Sequence, residues 1–260
     1  MSKVAIVTGA AGGIGKAVSK LYAADGTKLV LVDSNEAALR DAVYELGLKE
    51  ENYLIQPVDV SYEERVAEYV KNTIKIFGKI DIFINHAGIE GVVKPLIETS
   101  DEDFDRVIRV NVYGAFYGLK YTMAQMFKQK FGSIVNTSSI AGFIGDPGLV
   151  SYITSKHAVL GLNKTAALEA APFHVRVNAV CPGPVDNRMM DSIQEGIAPG
   201  RGHEVRKEIE KNIPISRYTT NEEVANLIYF LASDKASGIT GAAYCIDGGM
   251  TIQGIRTKNF

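Results

Sequence analysis

The chain has 260 residues, of which 46% are hydrophobic and 22% charged. This composition excludes a disordered or collagen-like chain, and the length is enough to bury a core without disulfides. Lysine and arginine total 28 against 30 acidic residues, for a formal charge of −2. So balanced a charge argues against a nucleic-acid partner.

The N-terminus and the cysteines bear on location. Val4–Val7 is too short an apolar run for a signal peptide, and no apolar run approaches the roughly 18 residues of a transmembrane helix. We therefore expect no membrane segment. Cys181 and Cys245 cannot form a disulfide framework and lack metal-ligand spacing. These features predict a cytoplasmic protein without a bound metal.

Seven short apolar runs rich in β-branched residues are candidate strands. In chain order they are Val4–Val7, Leu29–Val32, Tyr53–Val58, Ile80–Asn85, Ser133–Thr137, Val175–Val180 and Ala243–Ile246. Segments with helical period lie between them. Continuous apolar strands joined by helices predict an α/β fold with a Rossmann-type, doubly wound, seven-stranded parallel sheet and helices on both faces. Seven strands use up residues 1–260 as a single domain.

Pro184–Arg217 is the one long stretch without strand character, and it contains several glycines and prolines. Its charged middle, Glu204–Asn212, predicts a short helix. A long, glycine-punctuated excursion late in a domain is typical of a substrate lid, here about residues 184–217. A plain surface insertion is the alternative.

A glycine-rich turn follows the first candidate strand and opens a helix. It reads Thr8-Gly9-Ala10-Ala11-Gly12-Gly13-Ile14-Gly15. Glycines there allow a tight turn and bring backbone N–H groups close to a pyrophosphate, while the helix N-terminus adds partial positive charge. The turn therefore predicts a dinucleotide site whose candidate residues are Gly9, Gly13, Ile14 and Gly15.

Asp33 ends the second candidate strand, 18 residues beyond Gly15. An acidic side chain there accepts hydrogen bonds from the adenosine ribose and repels a 2′-phosphate. No Arg or Lys follows until Arg40, so we predict NAD (NADH) rather than NADP. The alternative is that Asp33 caps the next helix, a role that Ser34 or Asn35 could fill equally well.

Tyr152 and Lys156 are four residues apart at the start of a predicted helix, so they share a face. A nearby ammonium stabilises a phenolate and lowers the pKa of a tyrosine, which would suit the pair to proton transfer. The spacing alone could arise by chance. Upstream, Thr137–Gly142 follows the fifth candidate strand, at the sheet edge where doubly wound folds bind ligands.

In this order the motifs resemble the short-chain dehydrogenase/reductase family over essentially the whole chain. The glycine motif of that family, T-G-x-x-x-G-x-G, is matched by Thr8, Gly9, Gly13 and Gly15. Besides Tyr152 and Lys156, the resemblance implies further cofactor contacts, which are Asp59, Val60, Asn85, Ala87, Gly88, Pro182, Gly183 and Val185. The catalytic set that it implies is Asn111, Ser139, Tyr152 and Lys156.

The activity implied by the resemblance is hydride transfer that interconverts a secondary alcohol and a ketone. Tyr152 would give or take the proton on oxygen, and Ser139 would orient that oxygen. Lys156 would lower the pKa of Tyr152 and hold the nicotinamide ribose. Asn111 would support a water-linked proton path toward Lys156.

Two positions depart from the family pattern. His86 stands where the second Asn of N-N-A-G is usual, and we interpret it as a tolerated variation. Asn187 stands where a Thr usually bonds the nicotinamide amide, which leaves that contact open. The resemblance also predicts a homotetramer built on long helices, here roughly Asp101–Lys130 and Ser151–Ala171.

Three other functions stay open. They are a reductase of 3-oxoacyl thioesters on acyl carrier protein or coenzyme A, a polyol or sugar dehydrogenase, and a catalytically silent NAD-sensing regulator. The complete catalytic set argues against the last of these. The segments expected around the substrate, Glu90–Leu96, Ile140–Val150 and Pro184–Arg217, are mostly apolar with few fixed charges. Such a wall favours a small or medium ketone.

Overall fold

A computed structural model describes residues 2–252, in which seven strands form one parallel sheet of order β3-β2-β1-β4-β5-β6-β7. The strands are β1 (Val4–Thr8), β2 (Lys28–Asp33), β3 (Tyr53–Pro57), β4 (Ile82–Asn85), β5 (Gly132–Thr137), β6 (Val175–Pro182) and β7 (Ala243–Ile246). Every predicted strand is present, and the predicted Rossmann-type fold is confirmed.

The described residues contain nine α-helices. They are α1 (Gly13–Ala24), α2 (Glu36–Leu46), α3 (Glu63–Phe77), α4 (Asp101–Ile108), α5 (Gly114–Gln129), α6 (Val150–Ala170), α7 (Arg188–Ile197), α8 (Gly202–Lys211) and α9 (Asn221–Ala232). One apolar core joins the sheet to α1, α2 and α9, and a second joins its other face to α3, α5 and α6. None of these helices is both long and apolar enough to cross a bilayer.

The direction of winding reverses between β1 and β4, which are neighbours in the sheet although two strands separate them in sequence. Loops from the carboxyl ends of β1 and β4 therefore leave in opposite directions and open a crevice between them. In doubly wound folds this switch point is where ligands bind.

Two helical segments differ from the sequence prediction. The helix expected over Asp101–Lys130 is interrupted by a π-helical turn at Arg109–Tyr113, which joins α4 to α5. Such turns insert an extra residue and are frequent at functional sites. In the Pro184–Arg217 segment, α8 matches the predicted short helix, whereas α7 was not predicted. It has ten residues and lies among glycines and prolines, although Met189, Ile193 and Ile197 have the spacing of an apolar helix face.

Candidate active site

A cleft of about 1280 Å³ runs along the carboxyl edge of the sheet, from the turn after β1 to α7. Asp33 lines it near one end, together with Ser34 and Asn35 from the same strand end. Tyr152 and Lys156 line it on the other side of the switch point. The strand ends thus bring residues that are far apart in sequence into one elongated site.

The glycine turn has the backbone geometry that a close ligand needs. Gly9 has φ +69°, in the left-handed region, and a Cβ there would lie 3.1 Å from both the Cα of Ala87 and the Cδ2 of His86. A Cβ on Gly15 would collide with the Gly9 carbonyl oxygen. Gly9, Gly13 and Ile14 line the cleft, whereas Gly15 acts beneath it by letting α1 approach the turn.

Thr8 ties this turn to the loop after β4. Its buried hydroxyl donates to the carbonyl oxygen of Ile84 and accepts from the backbone N–H groups of His86 and Ala87, at 2.9 and 3.0 Å. Three hydrogen bonds saturate the hydroxyl. The two loops that flank the switch point are therefore held at a set separation.

Asp33 presents its carboxylate to the cleft. One oxygen accepts from the backbone N–H of Ala11 at 3.2 Å and the other from that of Asn35 at 3.1 Å. The cap of α2 is Asn35, whose side chain accepts from the N–H of Ala38. Capping therefore does not account for Asp33, and each of its oxygens keeps capacity for a ligand hydroxyl.

Around the end of β4, some residues face the cleft and others face the protein interior. Ala87 and Gly88 line the cleft. Asn85 points the other way, donating to the carbonyl oxygen of Ala115 and to the side chain of Asn136, both at 3.0 Å. Asn85 was predicted as a cofactor contact, but the structure gives its side chain the task of holding β4 against β5 and α5.

Asn111 lies on the π-helical turn and is buried. Its side-chain oxygen accepts from the N–H of Ile89 at 2.8 Å, and its nitrogen donates to the Ile89 carbonyl at 2.9 Å and to the Ser155 hydroxyl at 3.0 Å. A Cβ on Gly88 would lie 3.1 Å from the Asn111 oxygen and 3.6 Å from the Lys156 ammonium. Asn111 is thus close to Lys156 behind the cleft wall and fixes the backbone in front of it.

Ser139, Tyr152 and Lys156 meet where β5 ends and α6 begins. The Ser139 hydroxyl donates to the carbonyl oxygen of Pro182 at 3.3 Å and interacts with the Tyr152 hydroxyl. Lys156 donates to the carbonyl oxygen of Thr137 at 3.0 Å, and its ammonium lies 5.4 Å from the centre of the Tyr152 ring. The neighbouring Ser138 instead donates to the backbone of Lys156, so the two serines have different tasks.

The protein alone holds Tyr152 in its protonated form. Burial raises the pKa of Tyr152 to about 12; the interaction with the Ser139 hydroxyl opposes this rise, and the nearby Glu90 carboxylate adds to it. Burial lowers the pKa of Lys156 to about 8. Desolvation of the phenolate is thus the dominant influence on the pKa of Tyr152, and the lowering expected from Lys156 is not among the causes of its shift.

Comparison with known proteins agrees with this geometry. The sequence profile of a family described as enoyl-(acyl carrier protein) reductase matches residues 9–251. The 3-oxoacyl-[acyl-carrier-protein] reductase of Thermotoga maritima is 38% identical over 96% of this chain and 98% of its own length. A diacetyl reductase of Staphylococcus epidermidis is 37% identical over 96% of this chain and 99% of its own length. The chain belongs to the short-chain dehydrogenase/reductase family.

Solved structures of the family superpose closely on the fold. Levodione reductase matches with a TM-score of 0.92 at 34% identity, covering 96% of this chain and 98% of that one. NAD⁺-bound xylitol dehydrogenase matches with a TM-score of 0.88 at 36% identity, covering 95% and 98%. The predicted oxidoreductase class is confirmed by the family. The matching structures include one with NAD⁺ bound and one, ElxO, with NADP bound.

The remaining predicted cofactor contacts, Asp59, Val60, Pro182, Gly183 and Val185, all line the cleft. A Cβ on Gly183 would lie 2.8 Å from the Cα of Asp247, so glycine there lets β6 and β7 end side by side. Three predicted site residues, Gly15, Asn85 and Asn111, are not among the residues that line the cleft. These three residues lie behind the cleft wall and position the residues that line it.

Asn187, the second departure from the family pattern, is already engaged within the protein. Its side-chain oxygen accepts from the N–H groups of Met189 and Met190, capping α7, and its nitrogen donates to Asn221 at 3.3 Å. Asn187 lines the cleft, but the hydrogen bonds of its side chain cap the N-terminus of α7, the helix that was not predicted.

The sequence prediction missed a charged pair beside the substrate end. Glu90 is 9% exposed and accepts a hydrogen bond from Arg188 of α7 at 3.2 Å. The two residues are 98 positions apart, so no local pattern could reveal the pair. The opposite charges of the pair offset each other, and the expectation of few fixed charges at this end is amended by this pair and by Asp146, which lines the cleft.

Proposed function

We propose that this protein catalyses the NAD(H)-dependent interconversion of a secondary alcohol and a ketone, with Tyr152 as the general acid and base. The observation that carries the proposal is the shared cleft. It has a dinucleotide cradle with Asp33 near one end, and Ser139, Tyr152 and Lys156 together across the switch point. Relatives of this chain include a diacetyl reductase and a levodione reductase.

The cradle fits NAD. Gly9 in its left-handed conformation opens space for a pyrophosphate at the N-terminus of α1, and Asp33 faces the ribose position. When bound, the nicotinamide supplies or accepts the hydride. The Asp33 carboxylate repels a 2′-phosphate, so we propose that NADH is strongly preferred over NADPH.

Each residue of the catalytic set has a separate role in proton transfer. In ketone reduction, protonated Tyr152 donates its phenolic hydrogen to the carbonyl oxygen, which Ser139 orients by a hydrogen bond. Lys156, anchored on the Thr137 carbonyl, holds the nicotinamide ribose and offsets the negative charge left on the phenol. Asn111 completes the wall beside Lys156 and supports a water-linked path for reprotonation.

We propose that the substrate is a neutral, small or medium ketone. The substrate end of the cleft is lined mainly by apolar side chains: Ile140, Ile144, Leu149, Met189, Met190, Ile193 and Ile197. Glu90 and Arg188 pair with each other. Asp146, which also lines this end of the cleft, adds a negative charge that disfavours a carboxylate substrate. Residues 184–217, with α7 and α8, form the lid over this end.

A panel of substrates tests the proposal. Diketones, cyclic ketones, acetoacetyl-CoA and sugars are each assayed with NADH and NADPH, and we expect the fastest turnover for a neutral ketone with NADH. A clear preference for acetoacetyl-CoA would indicate a reductase of 3-oxoacyl thioesters. A clear preference for sugars would indicate a polyol or sugar dehydrogenase. NADH binding without turnover of any carbonyl would indicate a silent regulator.

We propose further that the protein is a cytoplasmic homotetramer. The face of α5 and the π-helical turn exposes Tyr113 and Phe116, which are 46% and 42% accessible, and α6 exposes Leu168 at 78%. Aromatic side chains on a polar-rimmed surface are typical of subunit interfaces. Light scattering of the purified protein is expected to give four times the chain mass, and a monomer would contradict the proposal.

A further inference from the structure

His86 is part of the cleft wall and is held from two sides. Its ring nitrogen Nδ1 lies 3.1 Å from the Thr137 hydroxyl, and its backbone N–H donates to Thr8. The Cδ2 edge of the ring faces the glycine turn, since a Cβ on Gly9 would lie 3.1 Å from it. The imidazole thus spans from the glycine turn to the residue on which Lys156 is anchored.

The second ring nitrogen, Nε2, has no hydrogen-bond partner in residues 2–252. It is also absent from the buried partnerless atoms of that range, which are the side-chain oxygens of Ser19, Tyr22 and Ser133. Nε2 is therefore open to the cleft, which His86 lines. A polar atom in such a place becomes costly when a ligand removes its water, unless the ligand bonds it.

The state of the imidazole suits a hydrogen bond to a ligand oxygen. Burial and the neighbouring Lys156 ammonium lower the pKa of His86 to about 4, so the ring is neutral at pH 7. A neutral ring has one N–H and one acceptor nitrogen. With Nδ1 engaged by Thr137, Nε2 can serve either a phosphate oxygen or a ribose hydroxyl.

We propose that His86 is a direct cofactor contact, in which Nε2 hydrogen-bonds an oxygen of the dinucleotide between its pyrophosphate and its nicotinamide-side ribose. The placement follows from the two neighbours of the ring. Gly9 belongs to the turn that receives the pyrophosphate, and Thr137 holds the lysine assigned to the nicotinamide ribose. The inference rests on the proposed NAD site, but it does not depend on the reaction.

A matched pair of variants separates this contact from support of the fold. The side-chain amide of Asn occupies the position of Nδ1 of histidine. His86→Asn therefore keeps the hydrogen bond to Thr137 and lacks a group in the place of Nε2. The side-chain amide of Gln occupies the position of Nε2, so His86→Gln keeps a hydrogen-bonding group that can reach the ligand. His203→Asn, at an exposed position on α8, is the control for a histidine change elsewhere.

Binding is measured by calorimetry with AMP, ADP and ADP-ribose, and with NADH by fluorescence. We expect His86→Asn to weaken NADH and ADP-ribose roughly fivefold, the effect of one neutral hydrogen bond. AMP should bind as before, and His86→Gln should restore affinity to within about twofold. An equal loss for ADP would place the contact on the pyrophosphate, and an unchanged ADP affinity would place it on the ribose.

Three results would overturn the proposal: unchanged ADP-ribose affinity in His86→Asn, an equal loss for AMP, or no recovery in His86→Gln. The second would show that His86 only supports the glycine turn. These binding experiments need no turnover. A failure of the proposed reaction would therefore appear in the substrate panel while the His86 result stood, and the reverse is equally possible.

Discussion

The cofactor end and the substrate end of the cleft are built in different ways. The cofactor end consists of backbone turns at the ends of neighbouring strands, with Thr8 and Asp33 making hydrogen bonds to adjacent loops. The substrate end consists of side chains from loops and α7, joined by contacts such as the Glu90–Arg188 pair. A site made from backbone tolerates few alternatives, whereas a wall of side chains can change its specificity without changing the fold.

The chemistry between the two ends gives the largest expected effect. Tyr152→Phe removes the proton donor and should lower turnover by roughly 10²- to 10⁴-fold, while the dissociation constant of NADH stays unchanged. Tyr62 lines the cofactor end of the same cleft, so Tyr62→Phe is the control and should leave turnover intact. Steady-state rates and fluorescence titration measure both quantities. Full activity in Tyr152→Phe would remove Tyr152 from its role.

A substitution of Asp33 tests whether the preference for NADH over NADPH is set at the cofactor end of the cleft. Asp33→Asn removes the charge that repels a 2′-phosphate and weakens the bonds to the ribose. The ratio of kcat/KM for NADH to that for NADPH should therefore fall roughly 10- to 100-fold. Asp146→Asn, at the substrate end, should leave this ratio unchanged. An equal change in both variants would show that the two ends are not independent.

Glu90 gives the smallest expected effect, a shift in pH dependence. Ketone reduction requires protonated Tyr152, so its rate falls as the pH rises through the pKa of that residue. The Glu90 carboxylate raises this pKa. Glu90→Gln should therefore move the alkaline limb of the reduction profile to lower pH, by less than about one unit.

The partner residue supplies the control for that shift. Arg188→Gln leaves the carboxylate in place, so the alkaline limb should not move to lower pH. Profiles are recorded with ketone below its KM and saturating NADH. If both variants moved the limb downward alike, the cause would be loss of the ion pair and opening of α7 rather than the charge on Glu90.

Much of the fold could be predicted because its signals are local. The central strands β1 and β4 are buried along their whole length, because helices cover both faces of the parallel sheet, whereas the edge strands β3 and β7 are partly exposed. The turn at Gly9 and the i, i+4 pair of Tyr152 and Lys156 are likewise short-range patterns. The helix α7 was missed among the surrounding glycines and prolines, although Met189, Ile193 and Ile197 have helical spacing in the sequence.

For the site, sequence patterns predicted which residue types stand at the strand ends, and these residue types indicated the family, the reaction class and the cofactor. The direction in which each side chain points became known from the folded chain. The fold turned Asn85 inward, set Asn111 behind the wall, engaged Asn187 as a cap, left Nε2 of His86 open and joined Glu90 to Arg188. The physical reason is that hydrogen bonds between distant segments and the balance of burial against charge are properties of the assembled fold. No window of sequence contains them.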